Sequence, residues 1–167
     1  MVVRSRRRRA AISVATVTVL ALVSAACSDD DGGSTGATGE ETGAASAVDV
    51  TVQEFAILPG SSSAPAGDVT FNVTNTGPED THEFVVFKTD LAPDALPTAE
   101  DGSVDETGEG VELIDELEDI AVGDTPSLTV TLDAGSYVLI CNIVEEEAGG
   151  DIIVHYQQGM RVGFTAE

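Results

Sequence analysis

The sequence is poor in basic residues. Of its 7 Lys+Arg, all but Lys88 and Arg161 lie in the first nine positions. The chain has 30 Asp+Glu and none before Asp29, so the part from Asp29 onward carries a net charge of −28. Nucleic-acid binding depends on Lys and Arg that neutralise phosphates, so this charge excludes that class of protein. It also argues against a polybasic protein of the membrane surface.

The basic residues that do occur form the start of an export signal. Arginines at positions 4 and 6–9 precede an uncharged stretch, Ala10 to Ala26, which falls short of the roughly 20 residues of a bilayer span. Small residues then lead into Cys27. This order is typical of a cleaved secretory signal over residues 1–26. The small residues before Cys27 resemble a bacterial lipobox, which implies lipidation of Cys27. An uncleaved signal anchor is the alternative.

Residues 27–46 contain almost no large apolar side chains. Gly, Ser, Thr, Ala and acidic residues cannot bury enough surface to offset the entropy of ordering. We therefore predict a flexible acidic tether here, which places one folded domain at residues 47–167. With lipid on Cys27, that domain would be held at the outer face of the bacterial cytoplasmic membrane by the anchor alone.

Alternating and continuous apolar runs predict an all-β domain. Alternation with period 2 is typical of half-buried strands, and short continuous runs fit central strands. The apolar positions are Val48, Val50 and Val52; Val69, Phe71 and Val73; Phe84 to Phe87; Leu128, Val130 and Leu132; Tyr137 to Cys141; and Val162 with Phe164. About seven short strands in a domain of this size predict a Greek-key β-sandwich.

One segment has a different spacing. Val111, Ile114, Leu117 and Ile120 recur every third residue. This spacing favours a short amphipathic helix. It follows an acidic excursion, Asp90 to Gly110, so we expect one helix in a crossover between the two halves of the sandwich.

The scarcity of histidine, cysteine and methionine limits the chemistry to one small set. If Cys27 carries lipid, Cys141 is the only remaining thiol and cannot form an intramolecular disulfide. The remaining candidates are His82, His155 and Met160, which are the only His and the only internal Met in the sequence. Two imidazoles, one thiolate and a weak thioether are the ligands of a blue-copper electron-transfer site. A buried inert thiol and a structural zinc site are the alternatives.

The segments around these residues resemble a known family. GSYVLICNI and HYQQGMRVGFTA resemble the C-terminal ligand loop of the cupredoxins, the plastocyanin and azurin group, and THEFVV resembles their upstream ligand segment. The resemblance implies that His82, Cys141 and His155 are equatorial copper ligands and Met160 the axial one. It implies one mononuclear type 1 copper site and a non-enzymatic role as a one-electron carrier.

The spacing of two ligands departs from that family. Thirteen residues separate Cys141 from His155, many more than is usual there. A regular hairpin turning at Gly149-Gly150 would place His155 opposite Val144, three residues beyond Cys141, or about 10 Å away at ~3.3 Å per residue. Either the inserted segment leaves the site as a pinched loop, or the site does not assemble. Because longer loops add little closure entropy, we expect an intact site.

The inserted segment also carries acidic residues, Glu145, Glu146 and Glu147. A solvated loop face or a cation-binding group is one reading of them; beside a copper site, the other is a docking surface for a redox protein partner, which their charge predicts to be basic. We expect a monomer. A copper-delivery lipoprotein without an electron-transfer role and a metal-free structural β-sandwich are the alternative functions.

Overall fold

The computed structural model describes residues 45–146 and 149–167, and the alternating apolar segments within them are β-strands. The elements are β1 (Ser46–Gln53), β2 (Ala56–Pro59), β3 (Ser63–Ala64), β4 (Gly67–Asn75), β5 (His82–Lys88), β6 (Glu112–Ile120), β7 (Ser127–Leu132), β8 (Gly135–Ile140), β9 (Val144–Glu146), β10 (Ile152–Val154), α1 (His155–Gln158) and β11 (Arg161–Ala166).

The strands form a β-sandwich, as the sequence predicted. One sheet has the order β2-β1-β4-β7, the other has the order β3-β11-β8-β5-β6, and β9 and β10 form a separate hairpin. Most neighbouring strands, such as β1 and β4 or β5 and β8, are not consecutive in the chain. Such crossovers are those of Greek-key connections.

The main core lies between the two sheets. It takes the inward series of each strand, with Val50 and Val52 of β1 and Phe71 and Val73 of β4 almost fully buried. The polar residues between them, at odd positions in β1 and at even positions in β4, are exposed or half-buried. This is the expected consequence of strand alternation. This core therefore follows directly from the period-2 pattern.

A second apolar cluster covers the other face of the five-stranded sheet. Val85 and Phe87 of β5 pack there with Leu96 and Val104 of the excursion that connects β5 to β6. Phe84 and Val86 point into the main core instead. Because both faces of β5 are covered, its sequence is apolar at consecutive positions rather than alternating.

The predicted helix around Ile114 and Leu117 is wrong, because this segment is the edge strand β6. The strand pairs antiparallel with β5, and the register shifts twice along the pair. His82 and Phe84 are two residues apart but face Ile120 and Leu117, which are three apart. An extra residue on the strand is a β-bulge. The bulge increases the spacing between inward-facing apolar residues from two residues to three. A spacing of three is also typical of an amphipathic helix, so the sequence pattern was ambiguous.

The charged side chains of β6 are compatible with its position at the edge of the sheet. Most of its residues are exposed or half-buried, and its sequence ELIDELEDI is strongly acidic. Charge on an edge strand discourages pairing with another chain. Within the described residues the helical element is instead the single turn α1, which lies outside the excursion.

The predicted signal sequence, Cys27 and almost all of the predicted tether lie outside the described residues. β1 begins at Ser46, the last residue of the predicted tether. None of the described helical segments has the length and apolar character needed to cross a bilayer.

Candidate metal centre

Two strand ends and one helical turn bring the three predicted equatorial donors together. His82 is the first residue of β5, Cys141 directly follows β8, and His155 is the first residue of α1. Cys141 Sγ lies 3.3 Å from His155 Nδ1 and 4.0 Å from His82 Nδ1. The two Nδ1 atoms are 3.3 Å apart. All three side chains are fully buried, with relative exposures of 0%.

These distances fit one metal ion held by three donors. Bonds of about 2.0–2.3 Å to nitrogen and sulfur in a trigonal arrangement separate the donors by about 3.5–3.7 Å. The observed separations of 3.3, 3.3 and 4.0 Å each lie within about 0.4 Å of these values. Each of the three residues offers one buried nitrogen or sulfur atom as a ligand. The site therefore offers a thiolate and two imidazoles to a metal ion.

The backbone of Met160 is hydrogen-bonded to two of the three donor residues. Its backbone N–H donates to the carbonyl of His155 at 3.1 Å, and its carbonyl accepts from the N–H of Cys141 at 3.1 Å. The side chain is fully buried in the same core cluster as Cys141. The backbone thus ties Met160 to two of the predicted ligands.

The inserted segment leaves the site as a hairpin with a narrow neck. β9 and β10 pair from Val144 with Val154 to Glu146 with Ile152. The N–H of His155 donates to the carbonyl of Ile143 at 3.0 Å, which closes the neck. The register is one residue from the regular hairpin considered above, and α1 then turns the chain so that His155 reaches Cys141. The pinched-loop alternative is therefore the one adopted.

Burial shifts the pKa of Cys141 and of His82. It raises the pKa of the Cys141 thiol to about 11, against the opposing effect of the backbone N–H groups of Glu83 and Ile143. The Glu83 N–H lies 3.3 Å from Cys141 Sγ, where it is placed to stabilise a thiolate. Burial, followed by the neighbouring His155, lowers the pKa of His82. A neutral His82 has a free lone pair, whereas Cys141 must release a proton when a metal binds.

Both histidines have a carboxylate on the outer side of the ring, but the two contacts differ. His155 Nε2 lies 3.0 Å from Oε1 of Glu145. His82 Nε2 is 3.9 Å from Oε1 of Glu54 and has no hydrogen-bond partner among residues 45–146 and 149–167. Glu54 Oε1 instead accepts from the N–H groups of Glu79 and Asp80.

The pKa of Glu54 reflects these bonds. Burial alone would raise it, but the backbone N–H groups of Asp80 and Glu79 outweigh burial and the pKa lies below its usual value. Glu54 is thus held as a carboxylate close to His82 by the loop that precedes β5. The sequence did carry a signal for Glu54, since it continues the even-numbered, inward-facing series of β1 that includes Val52.

The predicted acidic docking residues occupy different positions. Glu145 turns toward His155, as described, and its side chain is 34% exposed. Glu146 is exposed to solvent, and Glu147 lies outside the described residues. Sequence reasoning treated the three as one surface and missed the bond of Glu145 to a metal-ligand candidate.

The excursion supports the site from the outer face of the sheet. Tyr156 donates its hydroxyl proton to the carbonyl of Pro93 at 2.9 Å and accepts from the N–H of Leu96 at 3.2 Å. Asn142, next to Cys141, accepts from the N–H of Val104 at 2.7 Å and donates to its carbonyl at 3.1 Å. The residues that follow two ligands are thereby fastened to the same segment.

Comparison with known proteins identifies the fold. No protein-family model matches the sequence, and no curated protein matches it. Among solved structures, the dithionite-reduced auracyanin of the photosynthetic bacterium Roseiflexus castenholzii is 19% identical, with a TM-score of 0.51 over 75% of this chain and 99% of that one. Auracyanin A of Chloroflexus aurantiacus, described as a "blue" copper protein, is 17% identical, with a TM-score of 0.48 over 74% of this chain and 100% of that one. The chain has the cupredoxin fold, and His82, Cys141 and His155 form a group that could hold a metal ion.

Proposed function

We propose that this chain is a type 1 copper protein that carries single electrons and is not an enzyme. The observation that supports this most strongly is the convergence of Cys141 Sγ and two Nδ1 atoms, all buried, at 3.3–4.0 Å from one another. Copper bound there would supply the redox chemistry, taking up and returning one electron between Cu(II) and Cu(I).

The chain's own residues would prepare this site. Cys141, His82 and His155 would be the equatorial ligands, and Met160 the weak axial ligand. The soft thiolate and thioether favour Cu(I), whereas the imidazoles also suit Cu(II). The backbone bonds that join Met160 to His155 and Cys141 restrict movement between the two states, because the donors are attached to a packed sandwich.

The burial of the donors favours electron transfer over other roles. A copper-delivery protein must present its ion to an acceptor, whereas these three donors are fully buried. Substrate turnover needs a cavity at the metal. Full burial of the three donors works against access by a substrate.

The location and partner form the second part of the proposal. The basic start, apolar run and small residues before Cys27 support export and lipid anchoring at the outer face of the bacterial cytoplasmic membrane. The charge of −28 from Asp29 onward, with exposed Glu146 near the site, supports a monomer that meets a basic redox protein. Electron-transfer rates with a basic partner should fall as salt screens the charges, and rates that do not change with salt would refute this role.

Optical and electron paramagnetic resonance spectra of the purified protein after Cu(II) addition test the copper site. We expect intense visible absorption in the natural chain. Cys141→Ser should abolish it, because serine keeps the size of the side chain but removes the thiolate. Circular dichroism shows whether the variant remains folded. A natural chain that stays colourless with Cu(II), or a Cys141→Ser variant that keeps the absorption, would contradict the proposal.

A further inference from the structure

We propose that Glu145, supplied by the inserted hairpin, is a positioning residue for His155 that lowers the reduction potential of the site. This inference rests on the proposed copper function and extends it. The juxtaposition that carries it is Glu145 Oε1 at 3.0 Å from His155 Nε2, while His155 Nδ1 points to Cys141 Sγ.

The hydrogen bond selects the tautomer that can bind a metal. A neutral imidazole has one protonated and one free nitrogen, and the partner of one decides the state of the other. Glu145 as a carboxylate can only accept, so the proton of His155 resides on Nε2. The lone pair of Nδ1 is then free on the side where Cys141 and His82 converge.

The hairpin holds this contact in place. Glu145 pairs with Ile153 across β9 and β10, and the pair directly below it is Val144 with Val154. The next contact is the bond from the His155 N–H to the carbonyl of Ile143. Glu145 and His155 are therefore fastened to the same two-stranded neck, although they are 10 positions apart in the chain.

A carboxylate partner also changes the electronic character of the ligand. A metal-bound imidazole that donates its second N–H to a carboxylate becomes a more basic ligand. A more basic ligand with a nearby negative charge stabilises Cu(II) more than Cu(I). Glu145 should therefore shift the couple toward the oxidised state and lower the potential.

The two histidines provide an internal comparison. His82 Nε2 lies 3.9 Å from Glu54 and has no hydrogen bond to any described residue, whereas His155 has a bonded carboxylate. Asp80 is a further negative group nearby, with a carboxylate oxygen within 4.8 Å of both Glu145 and His155 donor atoms. Asp80 makes it possible to separate the effect of the bond from that of a charge close by.

The first arm of the test measures the reduction potential of copper-loaded variants. Glu145→Gln keeps an oxygen acceptor but removes the charge. We expect the ratio of Cu(II) to Cu(I) binding constants to fall about tenfold, which for a one-electron couple is about 59 mV higher potential. Two controls remove one charge without touching the bond: Glu146→Gln, on the adjacent exposed residue, and Asp80→Asn, on a half-buried residue near the bond. Shifts in the controls as large as that of Glu145→Gln would overturn the proposal.

The second arm uses the metal-free protein, so that it remains informative if the copper function is wrong. Nitrogen-15 NMR reports the tautomer of each histidine. We expect His155 to carry its proton on Nε2, and Glu145→Met, which has no strong acceptor, to give a mixture of the two His155 tautomers. A natural protein with the His155 proton on Nδ1 would overturn the positioning role. A natural chain without visible absorption would instead refute the proposed function, and the NMR result alone would then decide the role of Glu145.

Discussion

Replacing Tyr156 by Phe tests whether the excursion fastens the ligand-bearing turn α1. Tyr156 directly follows His155, and its hydroxyl makes two hydrogen bonds with the excursion, to the Leu96 N–H and the Pro93 carbonyl. The ring itself is buried in the second apolar cluster. Phenylalanine preserves the ring packing, so the variant removes the two hydrogen bonds and creates almost no cavity.

The expected loss of unfolding free energy depends on which buried groups the variant leaves without a hydrogen-bond partner. A hydrogen bond contributes a net of about 0.5–1.5 kcal/mol, and a buried group left without a partner costs about 1–3 kcal/mol. The Leu96 N–H is in a buried contact, whereas the Pro93 carbonyl is partly buried. We therefore expect Tyr156→Phe to lower the free energy of unfolding by about 2–3 kcal/mol.

Tyr137→Phe is the matched control. Its hydroxyl donates a single bond, to the carbonyl of Asp133 at 2.8 Å, and its ring is also buried. The same chemical change there should cost about 1 kcal/mol. Urea unfolding of the metal-free protein, followed by circular dichroism, measures both. Equal losses in the two variants, or a loss below about 0.5 kcal/mol for Tyr156→Phe, would refute the reasoning.

Two further predictions concern Asn75, in the turn before His82, and Met160. Asn75→Ala should lower the free energy of unfolding by about 2–4 kcal/mol. The Asn75 amide donates to the carbonyls of Asp80 and Ile120 and accepts from the N–H of Gly77, and these bonds hold the turn before His82. A loss below about 0.5 kcal/mol, measured by urea unfolding, would contradict this account. Met160→Leu should change the unfolding free energy of the metal-free protein by less than about 1.5 kcal/mol, since it conserves volume in the core. The same variant should keep its visible absorption with Cu(II), because the axial ligand is the weak one, and loss of the absorption would show that Met160 has a larger role.

Much of the sandwich could be predicted from the sequence because alternation is a local property. Val50, Val52, Phe71 and Val73 face the main core as their spacing indicates, since every second side chain on a strand points to the same face. The ligand candidates could also be named, because the sequence contains so few His, Cys and Met residues that composition alone selected them.

The edge strand β6 could not be predicted in the same way. Its apolar spacing of three arises from bulges, which depend on how the strand pairs with β5. A bulge is a relation between two strands far apart in sequence. The local pattern therefore resembled a helix, and only the pairing partner could distinguish the two.

By itself, the sequence determined the functional groups of the site: two imidazoles, one thiol and one thioether. It also determined which residues of most strands face the core of the sandwich. The tertiary structure alone decided whether those functional groups meet. The neck of the inserted hairpin brings His155 to within 3.3 Å of Cys141, and the same hairpin places Glu145 on the outer nitrogen of His155. The physical reason is that strand register and hairpin closure are set by long-range backbone pairing, which leaves no periodic signal in the residues that it joins.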